Sequence, residues 1–420
     1  MIKSIFRIKT FFLLAGFLLF TLVTVRAGSN AELKILTADQ MAPLALKDSM
    51  YYHYDEWFSR FQGEIDRLKS SSPSLENQVE LMKFHFNYAG LLGELCHTLA
   101  FTSKYQDDKI TGRFLYHSLE VKDLAHEILD DVFVTSDQEA QANFFLGASE
   151  GYIGIFEYGK GNLIEALING FHADTHLERA LLLDPKLVDV HFGLGMYRYG
   201  NSRLGGFGNL IMQGGKDHRL VGLYHIEQSI LNGAVSQPLA LKTLAWFYIS
   251  EQINPANKEL PHENPLSQKK TRQNALAVLI DIENRYFKQP SPHAHFKGNK
   301  ELAIMKALQS VLDKDYASAG IEFKKSLKII DHLQNRGFLI NPQLVRSVEA
   351  AIKFCKLMLL QASTEPEKKS TCVKVYNQIK FLEGGGSMIE YDSKKIRREL
   401  HLVFAEALNQ MTEKMNCDHE

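Results

Sequence analysis

From about residue 48 to about 412, leucine, alanine, phenylalanine and tyrosine recur at spacings of three and four. No stretch alternates β-branched and polar residues as a half-buried strand would. A chain patterned this way is held to helices, each with an apolar stripe that a neighbour has to cover. The spacing predicts helices over 48–69, 75–102, 109–131, 137–158, 162–183, 187–200 and 216–232. Further helices are predicted over 237–252, 267–287, 298–313, 316–333, 341–362, 366–383 and 392–415. The breaks carry the expected chemistry. Ser71-Ser72-Pro73, Asp184-Pro185, Asn254-Pro255, Gln289-Pro290-Ser291-Pro292 and Asn341-Pro342 each push the residue before proline out of the helical region. Gly384-Gly385-Gly386 is the clearest flexible joint and sets a final helix, within 387–420, apart from the rest.

The first residues follow a different grammar. Lys3, Arg7 and Lys9 precede an apolar run from Phe11 to Val25, and Val25-Arg26-Ala27 offers small residues where a signal peptidase reads. The run is about 15 residues, against the roughly 20 that span a bilayer as a helix. A signal peptide over 1–27 is the expectation, with an uncleaved anchor as the alternative because of Arg26. Either reading exports the chain to the periplasm or the cell envelope. No Cys follows the run, which excludes a lipoprotein anchor. The remaining chain, about 393 residues, suits two domains or one repeat array. Lysine plus arginine number 48 and aspartate plus glutamate 49, so the chain has no basic footprint for nucleic acid.

Successive helices joined by short turns point to stacked hairpins, and a period is visible in the middle of the chain. Ala173, Leu177, Ala180 and Pro185 are spaced by four, three and five. A 34-residue register from Pro185 puts Leu194-Gly195 in the next first helix, and Leu146-Gly147, with Tyr152 nearby, takes the same role one hairpin earlier. Leu244-Ala245 with Tyr248, and Ala319, Phe323 and Ser326, fit less fully. This pattern resembles the tetratricopeptide repeat (TPR). It is also similar to a group of exported bacterial TPR proteins, through Asp217-His218-Arg219-Leu220-Val221-Gly222-Leu223 after a Leu-Gly helix. The resemblance implies an all-α, TPR-like α-solenoid of stacked antiparallel helix pairs. It covers 137–333, with a Gly-rich insert at 201–216, between an N-terminal helical region over 28–136 and a C-terminal hairpin over 334–383. Small residues let the paired helices approach, and larger ones fill the wedge between pairs.

In TPR proteins the first helices line a concave face. The resemblance therefore assigns a groove to Phe144 and Tyr152, then Asp189, Phe192, Met196 and Tyr199, then Lys242 and Trp246. An aromatic groove with scattered charge suits a peptide or protein segment, such as one belonging to an envelope complex. The Gly-rich insert reads either as a loop tucked over the end of a repeat or as an apolar lid of Phe207, Leu210, Ile211 and Met212. Membrane contact is expected only through that insert or an uncleaved leader. A phosphate cradle is excluded there, since no strand precedes it and no Ser or Thr follows Lys216. Cys355 and Cys372 lie nearly symmetrically about Glu365-Pro366, so a disulfide and two buried thiols both stay open.

Chemistry-bearing residues do not assemble into a site. His172 and His176 are four apart on one helix, but Ala173 stands where a zinc hydrolase needs glutamate, and no metal site is expected. His293 and His295 belong to a Pro-bounded loop, and Asp107-Asp108 and Asp130-Asp131 fall at helix edges. No catalytic residues, cofactor or enzymatic activity are expected. The function expected is a scaffold that binds a protein or peptide. The alternative is a helical solute- or lipid-binding protein with the insert as its lid.

Overall fold

The computed structural model describes residues 36–100, 108–160, 162–204, 209–210, 213–253, 264–288 and 298–359. Among these residues there are thirteen α-helices and no strand, so the all-α expectation holds. The helices are α1 (Ala38–Ser49), α2 (Asp55–Lys69), α3 (Leu75–Ala100), α4 (Asp108–Asp130), α5 (Ser136–Lys160), α6 (Leu163–Leu183) and α7 (Asp189–Leu204). There follow α8 (Arg219–Leu231), α9 (Gln237–Ile253), α10 (Gln268–Ile282), α11 (Lys300–Leu312), α12 (Tyr316–Asn335) and α13 (Pro342–Leu359). A short π turn, Glu283–Phe287, extends α10. The expected leader, Cys372, the Gly384-Gly385-Gly386 joint and the helices over 366–383 and 392–415 lie outside the described residues.

Adjacent helices pack in pairs: α3 on α4, α5 on α6, α7 on α8, α9 on α10 and α11 on α12. Where they cross, glycine removes the side chain that would hold the backbones apart. A Cβ on Gly147 of α5 would lie 2.9 Å from the Ala173 carbonyl oxygen and 3.1 Å from Leu177 Cγ on α6. A Cβ on Gly195 of α7 would lie 2.5 Å from Ile226 Cγ1 and 2.8 Å from the Gly222 carbonyl oxygen on α8. Ser267, Asn299 and Asp315 cap α10, α11 and α12 by accepting from the amides of Lys270, Leu302 and Ser318.

The periodicity missed α1. Pro43 sits inside it and breaks the sequence pattern, yet Ala38, Met41, Ala42 and Ala45 are buried. The chain then turns at Tyr51 and Tyr52, with Tyr52 held at φ 62°. That left-handed backbone is uncommon for a bulky residue, and tertiary contacts over-determine it here. Tyr52 Oη accepts from the Lys300 amide at 2.6 Å and donates to Glu301 Oε2 at 3.0 Å.

Those bonds belong to a set that joins the two ends of the described chain. Asn299 Nδ2 donates to the Met50 carbonyl (3.1 Å), Lys300 Nζ to the His97 carbonyl (3.3 Å) and the Asn341 amide to the Leu99 carbonyl (2.8 Å). Tyr51 Oη donates to the Tyr286 carbonyl. The largest apolar cluster accordingly takes residues from Ala38 in α1 through to Leu357 in α13, so the stretches set apart by sequence pattern share one core. Among the described residues no helix is long and apolar enough to cross a membrane.

Candidate functional site

The helix pairs line a half-open cavity of ≈ 1370 Å³, with the exposed Ile155, Leu163 and Ile164 at its mouth. Its walls come from α1, α2, α3, α4, α5, α6, α7, α9 and α11. Aromatic rings form a belt on one side. Phe86 of α3 stacks on Tyr152 of α5 (centroids 5.8 Å apart) and meets Phe144 at 6.0 Å; Phe114 of α4 meets Tyr152 at 6.3 Å and Phe156 at 5.8 Å. Phe192, Met196, Trp246 and Phe247 continue the wall on α7 and α9. Eight helical glycines also line the space, and three of them have room beside them. A Cβ on Gly93 or Gly200 would meet nothing within 4 Å, and one on Gly90 only the Tyr152 hydroxyl at 3.7 Å.

Seven of the eight groove residues read from the sequence line this one cavity: Phe144, Tyr152, Asp189, Phe192, Met196, Lys242 and Trp246. Tyr199 does not. It sits at the α7–α8 crossing, where a Gly222 Cβ would touch its amide nitrogen at 2.6 Å, and the crossing turns it into the core. There its ring stacks on Phe247 at 3.7 Å and its hydroxyl donates to Glu251 at 2.8 Å. Two of the seven also have structural duties. Asp189 accepts from the amides of Val235 (3.0 Å) and Ser236 (2.8 Å), pinning the α8–α9 turn. Lys242 is ion-paired with Glu94 across the cavity wall. Burial works against that ammonium, and Glu94 and Glu301 outweigh it, so its pKa rises above the ordinary value.

Phe86, Phe114 and Phe156 escaped the sequence reading. The register was followed from residue 137 onward, and α3 carries Phe84 and Phe86 two apart. That spacing puts them on different faces of a helix, and pattern alone does not say which is inside. Phe84 is fully buried, while Phe86 reaches the cavity.

Of the lid residues read from the sequence, Leu210 alone is described. Leu210 is 58% exposed and is not part of the cavity wall; its neighbour Asn209 is. Phe207, Ile211 and Met212 lie outside the described residues. Gly214 and Gly215, at φ 62° and 75°, make the turn back towards α8, a conformation that favours glycine. The Asp-His-Arg sequence that follows is structural. Arg219 is buried, forks onto Asp217 at 2.7–3.1 Å and reaches Glu251 Oε2 at 2.7 Å.

His293, His295 and Asp107 lie outside the described residues, and His172 and His176 line up beside a carboxylate already held elsewhere. His176 Nδ1 lies 2.9 Å from Asn143 Oδ1, and Lys122 holds Glu150, the carboxylate beside His172 and His176, at 3.2 Å. Among the described residues no group of three His, Cys, Asp or Glu is arranged to hold a metal ion. Cys355 is buried against α12 and α13 neighbours, and burial pushes its thiol up to about 12. Its pairing with Cys372 falls outside the described residues. No protein-family model matches the chain, and no curated protein matches it.

Proposed function

We propose that this protein is a non-catalytic binding protein that encloses a largely apolar ligand. In this reading it is an exported, TPR-type array whose concave face has become a chamber because the first helices dock on the last. The observation that carries it is the cavity itself. At ≈ 1370 Å³ it exceeds the roughly 300–1,000 Å³ of common small-molecule sites, and aromatic, aliphatic and glycine residues make most of its wall. A molecule that is insoluble in water needs such an enclosure to cross an aqueous compartment like the periplasm, because its apolar surface stays out of water throughout.

The chain supplies its own reporter. It has two tryptophans; Trp246 lines the cavity, and Trp57 is buried elsewhere with its indole donating to Asp48 at 2.9 Å. Titration of a Trp57→Phe variant with the uncharged dye N-phenyl-1-naphthylamine is expected to quench Trp246 saturably while dye emission rises. Linear, unsaturable quenching equal to that of free tryptophan would overturn the chamber reading.

A second reading, a scaffold for a protein partner, is favoured by one observation. Ile164, Ile168 and Phe171, on one face of α6, are 73%, 46% and 56% exposed, a ridge of the kind partners cover. An Ile168→Asp, Phe171→Asp variant that loses a partner captured by the native protein, yet still takes up dye, supports this reading.

A further inference from the structure

Most polar groups of the cavity wall are already committed. Lys83 pairs with Asp39 at 2.7 Å, Lys242 with Glu94, and Arg203 lies 3.7 Å from Glu251. Glu301 holds Lys300 at 2.5 Å, Asp189 accepts from two backbone amides, and Lys186 is exposed. Gln141 Oε1, Asn209 Oδ1, Ser236 Oγ and Ser250 Oγ lack partners, but these atoms are scattered over several elements and sealed inside the wall. They offer no surface to an occupant.

His97 is different. Phe86, Gly90, Gly93 and His97 are spaced by four, three and four, so they share the face of α3 that lines the cavity. That stripe is roughly 16 Å long at the rise of an α-helix. It starts in the aromatic belt, where Phe86 stacks on Tyr152. Next comes bare backbone: a Cβ on Gly90 would meet only the Tyr152 hydroxyl at 3.7 Å, and one on Gly93 nothing within 4 Å. Glycine weakens a helix relative to alanine, and neither of these relieves a helix crossing. The stripe ends at His97, an exposed wall residue whose ring makes no hydrogen bond among the described residues.

Around that ring stand Glu94 on α3 itself, Lys242 on α9, and Lys300 and Glu301 on α11, two anions and two cations that cancel. Tyr54 and Cys96 adjoin the two carboxylates. Burial holds the ring neutral, below its ordinary pKa. Its place in the last turn of α3, where helix carbonyls favour a cation, works the other way. A cationic head brought here would find every anion taken. An anionic head would find every cation taken, unless His97 supplies a new one by accepting a proton. One imidazolium balances a carboxylate, whereas a phosphate monoester carries up to about two charges.

Resting on the chamber reading above, we propose that the occupant is a long-chain carboxylic acid, of the fatty-acid class. Its chain lies along Phe86, Gly90 and Gly93, and its head meets the His97 ring. At neutral pH the acid arrives ionised. A proton from solvent adds to the free ring nitrogen, and carboxylate and imidazolium are held as a pair, so the cavity gains no net charge.

The test is displacement of N-phenyl-1-naphthylamine from the full chain by laurate and by 1-dodecanol, below their aggregation concentrations, between about pH 6 and 8. Near the acid end, laurate is expected to displace the dye at about tenfold lower concentration than the alcohol, the worth of one charge-assisted hydrogen bond. Its affinity is expected to fall by up to about tenfold per pH unit above that. Calorimetry in two buffers of different ionisation enthalpy is expected to show about one proton taken up per laurate and none per dodecanol. His97→Gln, checked for folding by circular dichroism, is expected to lose both the pH slope and the proton uptake. If that variant does not fold, the comparisons on the native protein decide. Dodecanol competing as well as laurate, no proton uptake by the native protein, or uptake kept in the variant overturns the carboxylate assignment and leaves the chamber intact. Failure of the dye itself to bind overturns the chamber reading and this one together.

Discussion

Replacing Gly222 with alanine tests whether backbone contact between α7 and α8 organises this part of the fold. A Cβ at Gly222 would lie 2.6 Å from the Tyr199 amide nitrogen, 2.7 Å from Tyr199 Cβ and 2.9 Å from the Gly195 carbonyl oxygen. Restoring ordinary contact of 3.4 Å to that nitrogen requires the helices to part by roughly 0.8 Å. All three obstructing atoms belong to backbone or Cβ, so no rotamer change relieves them. Overpacking of this kind costs about 1–3 kcal/mol, and rigid neighbours put this site at about 3. Alanine returns about 1 kcal/mol of helix propensity over glycine, leaving a net loss of about 2 kcal/mol. Gly63→Ala in α2 is the control: its Cβ would meet nothing within 4 Å, so propensity acts alone and stability should rise by about 0.5–1 kcal/mol. Urea unfolding followed by far-ultraviolet circular dichroism measures both. A Gly195→Ala, Gly222→Ala double variant should lose less than the two single losses combined, because one separation serves both residues. The reasoning fails if Gly222→Ala is as stable as the native protein while Gly63→Ala gains.

Two further outcomes follow from the buried polar groups. Glu251 faces Arg219 at 2.7 Å and Arg203 at 3.7 Å, so Glu251→Gln leaves the buried Arg219 to Asp217 alone and should cost about 1.5–3 kcal/mol in the same unfolding assay, with a loss below about 0.5 contradicting the network. His85 and His117 meet at 2.9 Å, and both are pushed down to about 3: His85 by burial and Lys69, His117 by burial, His85 and Arg113 against the pull of Glu120. The folded pair stays neutral while the unfolded chain takes up protons below about 6.5, so stability should fall on acidification between about 6.5 and 3, by up to about 1.4 kcal/mol per pH unit for each histidine. A His117→Phe variant should flatten that slope; a slope unchanged by the substitution would show that other groups set it.

Much of the fold was legible in the sequence. The Leu-Gly pairs and Ala173 were read as crossing points, and Gly147 and Gly195 do meet α6 and α8 with no room for a side chain. Proline-marked breaks placed most helix ends within a few residues. The α1 helix was hidden because Pro43 interrupts its pattern, while burial of its alanines against the core keeps it helical. Seven residues on α5, α7 and α9 that line the cavity were legible because helical spacing reports which residues share a face, and that is a local property.

What the spacing of residues cannot carry is which faces come together across the chain. Tyr199 shares a face with Phe192 in sequence, yet close approach at Gly222 turns it into the core. Phe86 and Phe114 joined the wall only because α3 and α4 stand opposite α7 and α9. Tyr52 meets Lys300 and Glu301 some 250 residues later in the chain, and Lys242 meets Glu94 nearly 150 residues earlier. Local periodicity therefore determined the helices, their ends and their apolar stripes. Long-range contacts, which depend on how the hairpins sit against one another, decided that those stripes line one cavity.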